Sequence, residues 1–239
     1  MSDFLEQAAG IGALADPLRR DLYVYVCAQD HAVGRGEAAE ALDLPLHRAK
    51  FHLERLAHDG LLDVEFARLS GRSGPGAGRP SKLYRRATRE IAVSLPGREY
   101  ELAGRLMAEA IAESGRSGTP VLEALSHVAS EHGRTLGQAA RATAQPRGSD
   151  KKGADALGIA CAALAEHGYE PRIERRGATL GNCPFHALAA SHTDLVCQMN
   201  LSLIEGLVDE IATGKIEAHL DPAEDRCCVT LAKRRPGRV

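Results

Sequence analysis

The chain has 239 residues, of which 44% are apolar, and a formal net charge of −2 from 30 Lys and Arg against 32 Asp and Glu. This length is enough for one large or two small domains with a buried core. No apolar run approaches the roughly 20 residues that span a membrane, and the acidic N-terminus MSDFLEQAAG is unlike a secretory signal. We therefore expect a cytoplasmic protein with no membrane association.

Three helices are predicted first. Asp16 and Pro17 are typical of a helix start, and apolar residues follow at helical spacing as far as Val26. A short helix is predicted over residues 34–42. A third helix has the apolar spacing of residues 46–56 and ends at the turn signal Asp59-Gly60.

A strand, loop and strand follow the third helix. Residues 62–67 alternate in the manner of a strand, a Gly/Pro/Ser loop comes next, and residues 81–87 are predicted as a returning strand. From Phe66 to Arg89 the chain has seven basic residues and no acidic one. Helix, strand, basic loop and strand describe a recognition helix with a wing, and the local charge indicates an anionic partner.

The segments LADPLRRDLYVYV, EAAEALDLPLHRAKFHLERLAHDGLLDV and GRPSKLY resemble the winged helix-turn-helix of ArsR-type and related bacterial transcriptional regulators. The resemblance implies a DNA-binding domain over residues 1–90. Side chains near the start of such a third helix reach base edges in the major groove, and wing cations reach phosphates or the minor groove. The predicted contacts to double-stranded DNA are His47, Arg48, Lys50, His52, Arg79 and Lys82. The alternative is an ordinary solvated helix face, with Phe51 and Leu53 turned into the core.

Two more helices are predicted behind the wing, one within PGREYELAGRLMAEAIAES and one over about residues 120–142. Helices in this position commonly form a dimer contact, and a two-fold homodimer would place two recognition helices on a palindromic operator. Residues 91–145 are therefore assigned to a helical dimerisation segment. The alternative is that these helices only cover their own domain. The polar stretch 145–153 is a predicted linker.

Residues 146–239 are predicted to form a small α/β sensor domain, which makes the whole chain α+β and mainly helical. Its expected elements are a helix over residues 154–167, a strand over 170–175, a largely helical stretch over 184–211, and strands at 217–220 and 227–231.

Cysteine and histidine are concentrated in this last domain, at Cys183, His186, His192, Cys197, Cys227 and Cys228. Six cysteines in an intracellular chain favour metal, cluster or redox chemistry over a disulfide scaffold. A position before a helix start favours the thiolate form of Cys183. Cys197 lies 14 residues further on, about 20 Å along a straight helix. Shared ligation therefore requires a helix break, for which the capping residues at 191–194 are the expected place.

The pattern NCPFHALAASHTDLVCQMN followed by RCC is similar to the C-terminal region of the Suf-operon repressor (SufR) family, whose members carry an iron–sulfur cluster on three cysteines. The resemblance implies ligation by Cys183, Cys197 and one of Cys227 or Cys228. The doubled cysteine and the histidines His186 and His192 depart from that pattern, and mixed Cys and His also suit zinc. Without a metal, the cysteines would be buried small side chains or thiol redox sensors.

The sequence thus predicts a DNA-binding transcriptional regulator, not an enzyme, whose operator affinity is controlled by a cluster, metal or redox signal. One alternative is a winged-helix regulator that binds a small organic effector and has structural cysteines. Another is an enzyme with a Cys183 nucleophile activated by His186 or His192. The chain has no oxyanion-loop motif, Gly-rich phosphate cradle or metal-hydrolase signature, which counts against the enzyme.

Overall fold

The computed structural model describes residues 2–67, 80–144 and 155–234, with side chains from Leu5 onward. The chain divides into two compact units, Met1–Val93 and Ser94–Val239. It is mostly helical with small antiparallel sheets, so the predicted α+β class is confirmed. None of the helices in the described ranges has the length and apolarity needed to cross a membrane.

In its described part, the first unit combines helices with a three-stranded antiparallel sheet in the order β1-β3-β2. Its elements are α1 (Ser2–Ala13), α2 (Pro17–Ala28), β1 (Val33–Gly34), α3 (Arg35–Ala41), α4 (Leu46–His58), β2 (Leu62–Ala67) and β3 (Ser81–Arg86). The three predicted helices and both predicted strands are confirmed, whereas α1 and β1 were not predicted.

Local sequence signals explain most of these boundaries. The Asp16 carboxylate accepts a hydrogen bond from the backbone N–H of Arg19 at 3.0 Å, and Pro17 opens α2, which satisfies a free N–H of the first turn. Gly60 has a φ of 76°, a left-handed conformation that glycine adopts without strain and that ends α4. The hairpin pairs Leu62 with Arg86 and Ala67 with Ser81.

The core of the first unit is formed by one face of each helix and the sheet. Leu22, Val26, Leu53, Leu56 and Tyr84 are fully buried there. The buried positions of α4 follow the helical repeat, which leaves the opposite face of α4 in contact with solvent.

In its described part, the second unit packs helices on a four-stranded sheet in the order β4-β5-β7-β6. Its elements are α5 (Tyr100–Ser117), α6 (Val121–Ala144), α7 (Ala156–Glu166), β4 (Pro171–Ile173), β5 (Gly177–Leu180), α8 (His186–Ser191), α9 (Thr193–Ala212), β6 (Ile216–Leu220) and β7 (Val229–Lys233). Every strand pair is antiparallel. The expectation of an α/β domain is therefore corrected to α+β, because all neighbouring strands are antiparallel. Hairpins join β4 to β5 and β6 to β7, and α8 and α9 join β5 to β6.

The helices assigned from the sequence to a separate dimerisation segment share one core with the C-terminal elements. Leu106 of α5 and Leu125 of α6 belong to the same buried cluster as Leu164, Ile204 and Leu231. Residues 94–144 are thus part of the second unit. The predicted linker over residues 145–153 lies outside the described residues.

The long predicted helix over residues 184–211 is broken, as shared ligation by Cys183 and Cys197 requires. His192 lies between α8 and α9 with φ −138° and ψ 56°, and α9 starts at Thr193. This break returns the chain towards the end of β5. It is the element of the fold that positions Cys197.

Candidate metal centre and nucleic-acid interface

Four cysteines from three separate stretches of the second unit lie next to one another. Cys183 follows β5, Cys197 lies in the second turn of α9, and Cys227 and Cys228 directly precede β7. The backbone N–H of Cys227 donates to the carbonyl of Leu180 at 2.8 Å. Antiparallel pairing of β7 with β5 therefore brings the doubled cysteine to the Cys183 loop.

The thiols of these residues are neighbours that influence one another's protonation. Cys183 interacts with Cys227, Cys227 with Cys228, and Cys228 with Cys197. All six cysteines of the chain are free thiols, so none of the four is held in a disulfide. We call Cys183, Cys197, Cys227 and Cys228 the four-thiol site.

Burial and mutual contact keep the thiols of Cys183, Cys197 and Cys227 protonated at neutral pH. The interaction with Cys227, followed by burial, raises the pKa of Cys183 well above its usual range. The interaction with Cys183 acts to lower the pKa of Cys227, but the interaction with Cys228 and burial outweigh it and raise the value to about 11. Burial also raises the pKa of Cys197. The expected thiolate at Cys183 is therefore not favoured: the backbone N–H of Phe185 at the start of α8 acts to lower the pKa, but the interaction with Cys227 and burial outweigh it.

A buried polar pair supports the site from α9. The Asn200 side-chain amide donates to the Cys227 sulfur at 3.3 Å, and its oxygen accepts from the Tyr169 hydroxyl at 2.5 Å. Asn200 is fully buried and Tyr169 nearly so. Burial raises the pKa of Tyr169 well above its usual value, which keeps the hydroxyl a donor. Asn200 thus fixes the position of the Cys227 sulfur.

The loop that carries Cys183 is tied to the chain just before α5. The Arg98 guanidinium donates to the Asn182 side-chain oxygen at 2.5 Å and to the Cys183 carbonyl at 3.1 Å. The backbone N–H of Glu99 donates to the Pro184 carbonyl at 3.1 Å. Asn182 also donates to the carbonyls of Gly97 and of Gly168. The backbone around Cys183 is therefore fixed independently of the thiols.

The structure does not bring the two predicted histidine ligands to the thiols. His186 and His192 are exposed at the two ends of α8, and among the described residues neither imidazole is hydrogen-bonded to a cysteine. Across residues 2–67, 80–144 and 155–234, no three Cys, His, Asp or Glu side chains converge in a metal-binding arrangement as they stand.

The predicted DNA contacts divide into exposed, buried and undescribed residues. His47, Arg48 and Lys50 are exposed on α4, and the Lys50 ammonium lies 4.0 Å from the Glu54 carboxylate. Lys82 on β3 is partly buried, with its ammonium 5.4 Å from the centre of the Tyr84 ring. Arg79 lies outside the described residues.

His52 does not lie on the exposed face of α4. It is 9% exposed, and its Nδ1 has no hydrogen-bond partner among the described residues. Burial lowers its pKa, so the imidazole is neutral at physiological pH. Phe51, expected in the core under the alternative interpretation, is instead 65% exposed. The prediction of a DNA contact from His52 is therefore corrected, because the buried stripe of α4 runs through Ala49, His52, Leu53 and Leu56.

Sequence reasoning missed the polar residues around the thiols. Asn200 had a detectable signal, since it is an amide between the apolar residues Met199 and Leu201 of α9 and lies three residues after Cys197. Arg98, Asn182 and Tyr169 had none, because each acts through a contact between distant parts of the chain. Comparison with family models, curated proteins and solved structures gives no match for this chain.

Proposed function

We propose that this chain is a dimeric DNA-binding transcriptional regulator of the winged helix-turn-helix type, with affinity for its operator controlled at the four-thiol site. The observation that carries the proposal is the meeting of four free thiols from three separate stretches of one domain. Cysteines without a structural disulfide that cluster in this way bind metal or respond to oxidants.

DNA binding is supported by the order and charge of the first unit. Helix α3, a short turn, helix α4 and the β2–β3 hairpin follow one another, which is the order of a helix-turn-helix with a wing. His47, Arg48 and Lys50 are exposed in the first turns of α4. The hairpin and its flanks contribute seven basic residues between Phe66 and Arg89.

The donor chemistry of the four-thiol site suits an iron–sulfur cluster, and zinc is the alternative. Both bind four sulfur ligands. The doubled cysteine would supply the fourth ligand, without His186 or His192. Binding requires rotation of the thiols towards one centre and loss of their protons. A bound iron–sulfur cluster would supply a redox-dependent charge, whereas Asn200 and the Arg98–Asn182 pair hold the cysteines in place.

A structural change at Cys183 could reach the first unit through hydrogen bonds and then along the chain. Gly97, Arg98 and Glu99 contact the Cys183 loop, and the chain runs from them through Ser94–Pro96 to the end of the first unit at Val93. We propose that a change in the Cys183 loop alters the conformation of this segment and thereby the orientation in which α4 meets DNA. The homodimer is proposed to form through α5 and α6, which expose Ile111 and Leu122.

The alternatives from the sequence have weaker support. A nucleophilic cysteine needs a neighbouring base and a lowered pKa, whereas Cys183 has a raised pKa and a thiol as its partner. An organic effector has a candidate cavity of about 430 Å³ between α6 and α9, lined mainly by apolar side chains such as Leu122, Leu125 and Met199. In that case the purified protein would contain no iron or zinc.

The test is anaerobic purification followed by visible absorption and by iron, sulfide and zinc analysis. We expect bound iron and sulfide in the wild type and in Cys27→Ser, a control cysteine in the first unit, and loss of both in Cys183→Ser and Cys197→Ser. Stoichiometric zinc without colour would support the zinc alternative. Absence of any metal after reconstitution with iron and sulfide or with zinc would contradict the metal site.

A further inference from the structure

The exposed face of α4 carries an aromatic residue among polar and charged ones. His47, Lys50, Phe51 and Glu54 follow the spacing of a single helix face and are all exposed. Phe51 lies at the middle of this face, about one turn after His47 and about one turn before Glu54. We call these four residues the α4 outer face.

Phe51 has little contact with the rest of the chain. It is 65% exposed, and its ring meets that of His52 edge-on, with centres 5.2 Å apart. Burial of a phenylalanine stabilises a fold, and the exposure of Phe51 forgoes a stabilisation that the core obtains from Phe185, which is fully buried. Such a residue on a helix face indicates an apolar contact made in a complex.

The charge around Phe51 selects the kind of partner. His47, Arg48 and Lys50 precede it on the helix, and the one acidic residue of the outer face, Glu54, is balanced by Lys50. A cationic helix that presents a single apolar ring is complementary to the major groove, where phosphates flank the bases and thymine offers a methyl group. A protein partner would instead favour a continuous apolar patch.

We propose that Phe51 is a specificity-determining residue that packs against the 5-methyl group of a thymine in the operator. The inference rests on the proposed function, since it assumes that α4 enters the major groove. His47 and Lys50 then position the helix on the DNA, and Phe51 distinguishes thymine from the other bases. Direct readout of this kind uses shape and apolar contact rather than a hydrogen bond.

The probe is double-stranded DNA enriched from a random-sequence pool by the full-length protein under anaerobic conditions. Each thymine of the enriched sequence is replaced in turn by deoxyuridine, which lacks only the methyl group. We expect one thymine per half-site at which the replacement weakens wild-type binding about fourfold, the effect of one buried methyl group. Phe51→Ala should bind about tenfold more weakly and show no further loss at that position.

The matched control is Ile173→Ala, which removes a similarly exposed apolar side chain on β4 of the second unit and should retain the deoxyuridine effect at that thymine. Phe51→Leu should restore part of the affinity. Because Phe51 is exposed, Phe51→Ala should keep the wild-type melting temperature. Failure to enrich any sequence would overturn DNA binding and the role of Phe51 with it. An enriched sequence with no methyl-sensitive thymine, or with the same sensitivity in Phe51→Ala, would overturn the role of Phe51 alone.

Discussion

Asn200 is the residue that links the four-thiol site to the packed interior of α9. Its amide N–H groups and oxygen have different partners, the Cys227 sulfur and the Tyr169 hydroxyl. Because Asn200 and Tyr169 are buried, each of these groups depends on the other for its hydrogen bond. An apolar side chain of similar size would satisfy neither partner.

Replacement of Asn200 by Leu should therefore destabilise the second unit. The Tyr169 hydroxyl would be left buried without an acceptor, at a cost of about 1–3 kcal/mol in the free energy of unfolding. Urea unfolding followed by circular dichroism measures the loss. The double variant Asn200→Leu with Tyr169→Phe should recover part of it, because it removes the stranded hydroxyl. Equal stability of Asn200→Leu and the wild type would contradict the role assigned to Asn200.

At the residue scale, sequence patterns predicted which cysteines come together better than they predicted the burial and the pKa values of individual side chains. Cys183, Cys197, Cys227 and Cys228 were all proposed as ligands from spacing and resemblance, and the fold does bring them together. Their pKa values could not be predicted, because these depend on which thiol faces which. His52 is buried where Phe51 had been the candidate core residue. The two positions differ by one residue, or 100° around a helix, and a short stretch of sequence does not determine the buried face that accurately.

At the scale of elements, the second unit is organised by the close approach of α6 and α9. A Cβ atom added at Gly133 on α6 would overlap the carbonyl oxygen of Leu203, and one added at Gly206 on α9 would overlap that of Ser130. Glycine at both positions lets the two backbones touch. The same approach holds α9 against the core on the side away from Cys197.

Two glycine-to-alanine variants should therefore have opposite effects. Gly133→Ala forces α6 and α9 apart and should lower the free energy of unfolding by about 1–3 kcal/mol or more. Gly104→Ala lies on the exposed face of α5 with no atom near the added methyl group, and should raise it by about 0.5–1 kcal/mol through helix propensity. Chemical unfolding of both variants measures the difference. A stable Gly133→Ala variant would show that α6 and α9 do not approach closely.

Periodicity predicted the longer elements well and missed two short strands, β1 and β5. Helices α2, α4, α5, α6 and α9 each have a capping signal or a sustained apolar stripe. Strand β1 has two residues and β5 has four, too few for an alternating pattern, and both exist because a neighbouring strand pairs with them. Helix α1 contains two glycines and depends on tertiary packing more than on propensity.

At the scale of the whole molecule, the proposed DNA binding of a nearly neutral protein requires a local concentration of positive charge. The net charge is −2, yet seven basic residues lie between Phe66 and Arg89. Each phosphate contact that releases a counterion contributes about −0.9 to the slope of log K against log salt concentration. Affinity for DNA should therefore fall steeply as salt rises, although the overall charge would not suggest it.

Lys82→Gln should reduce this salt slope by about one and weaken binding to all sequences by a similar factor. Lys215→Gln removes an exposed lysine of the second unit and serves as the control, with no expected effect. Fluorescence anisotropy over a series of salt concentrations gives both slopes. Identical slopes for Lys82→Gln and the wild type would exclude Lys82 from the phosphate contacts.

We propose above all that the state of the four-thiol site sets the affinity for DNA. Operator binding is therefore compared in one preparation before and after loss of its metal. Full-length protein purified without oxygen is assayed on its enriched DNA sequence, then again after chelation or exposure to air. We expect the Kd to change by about 5- to 150-fold in the wild type and in Cys27→Ser, and not to change in Cys183→Ser. An unchanged Kd in metal-loaded wild-type protein would contradict the proposal.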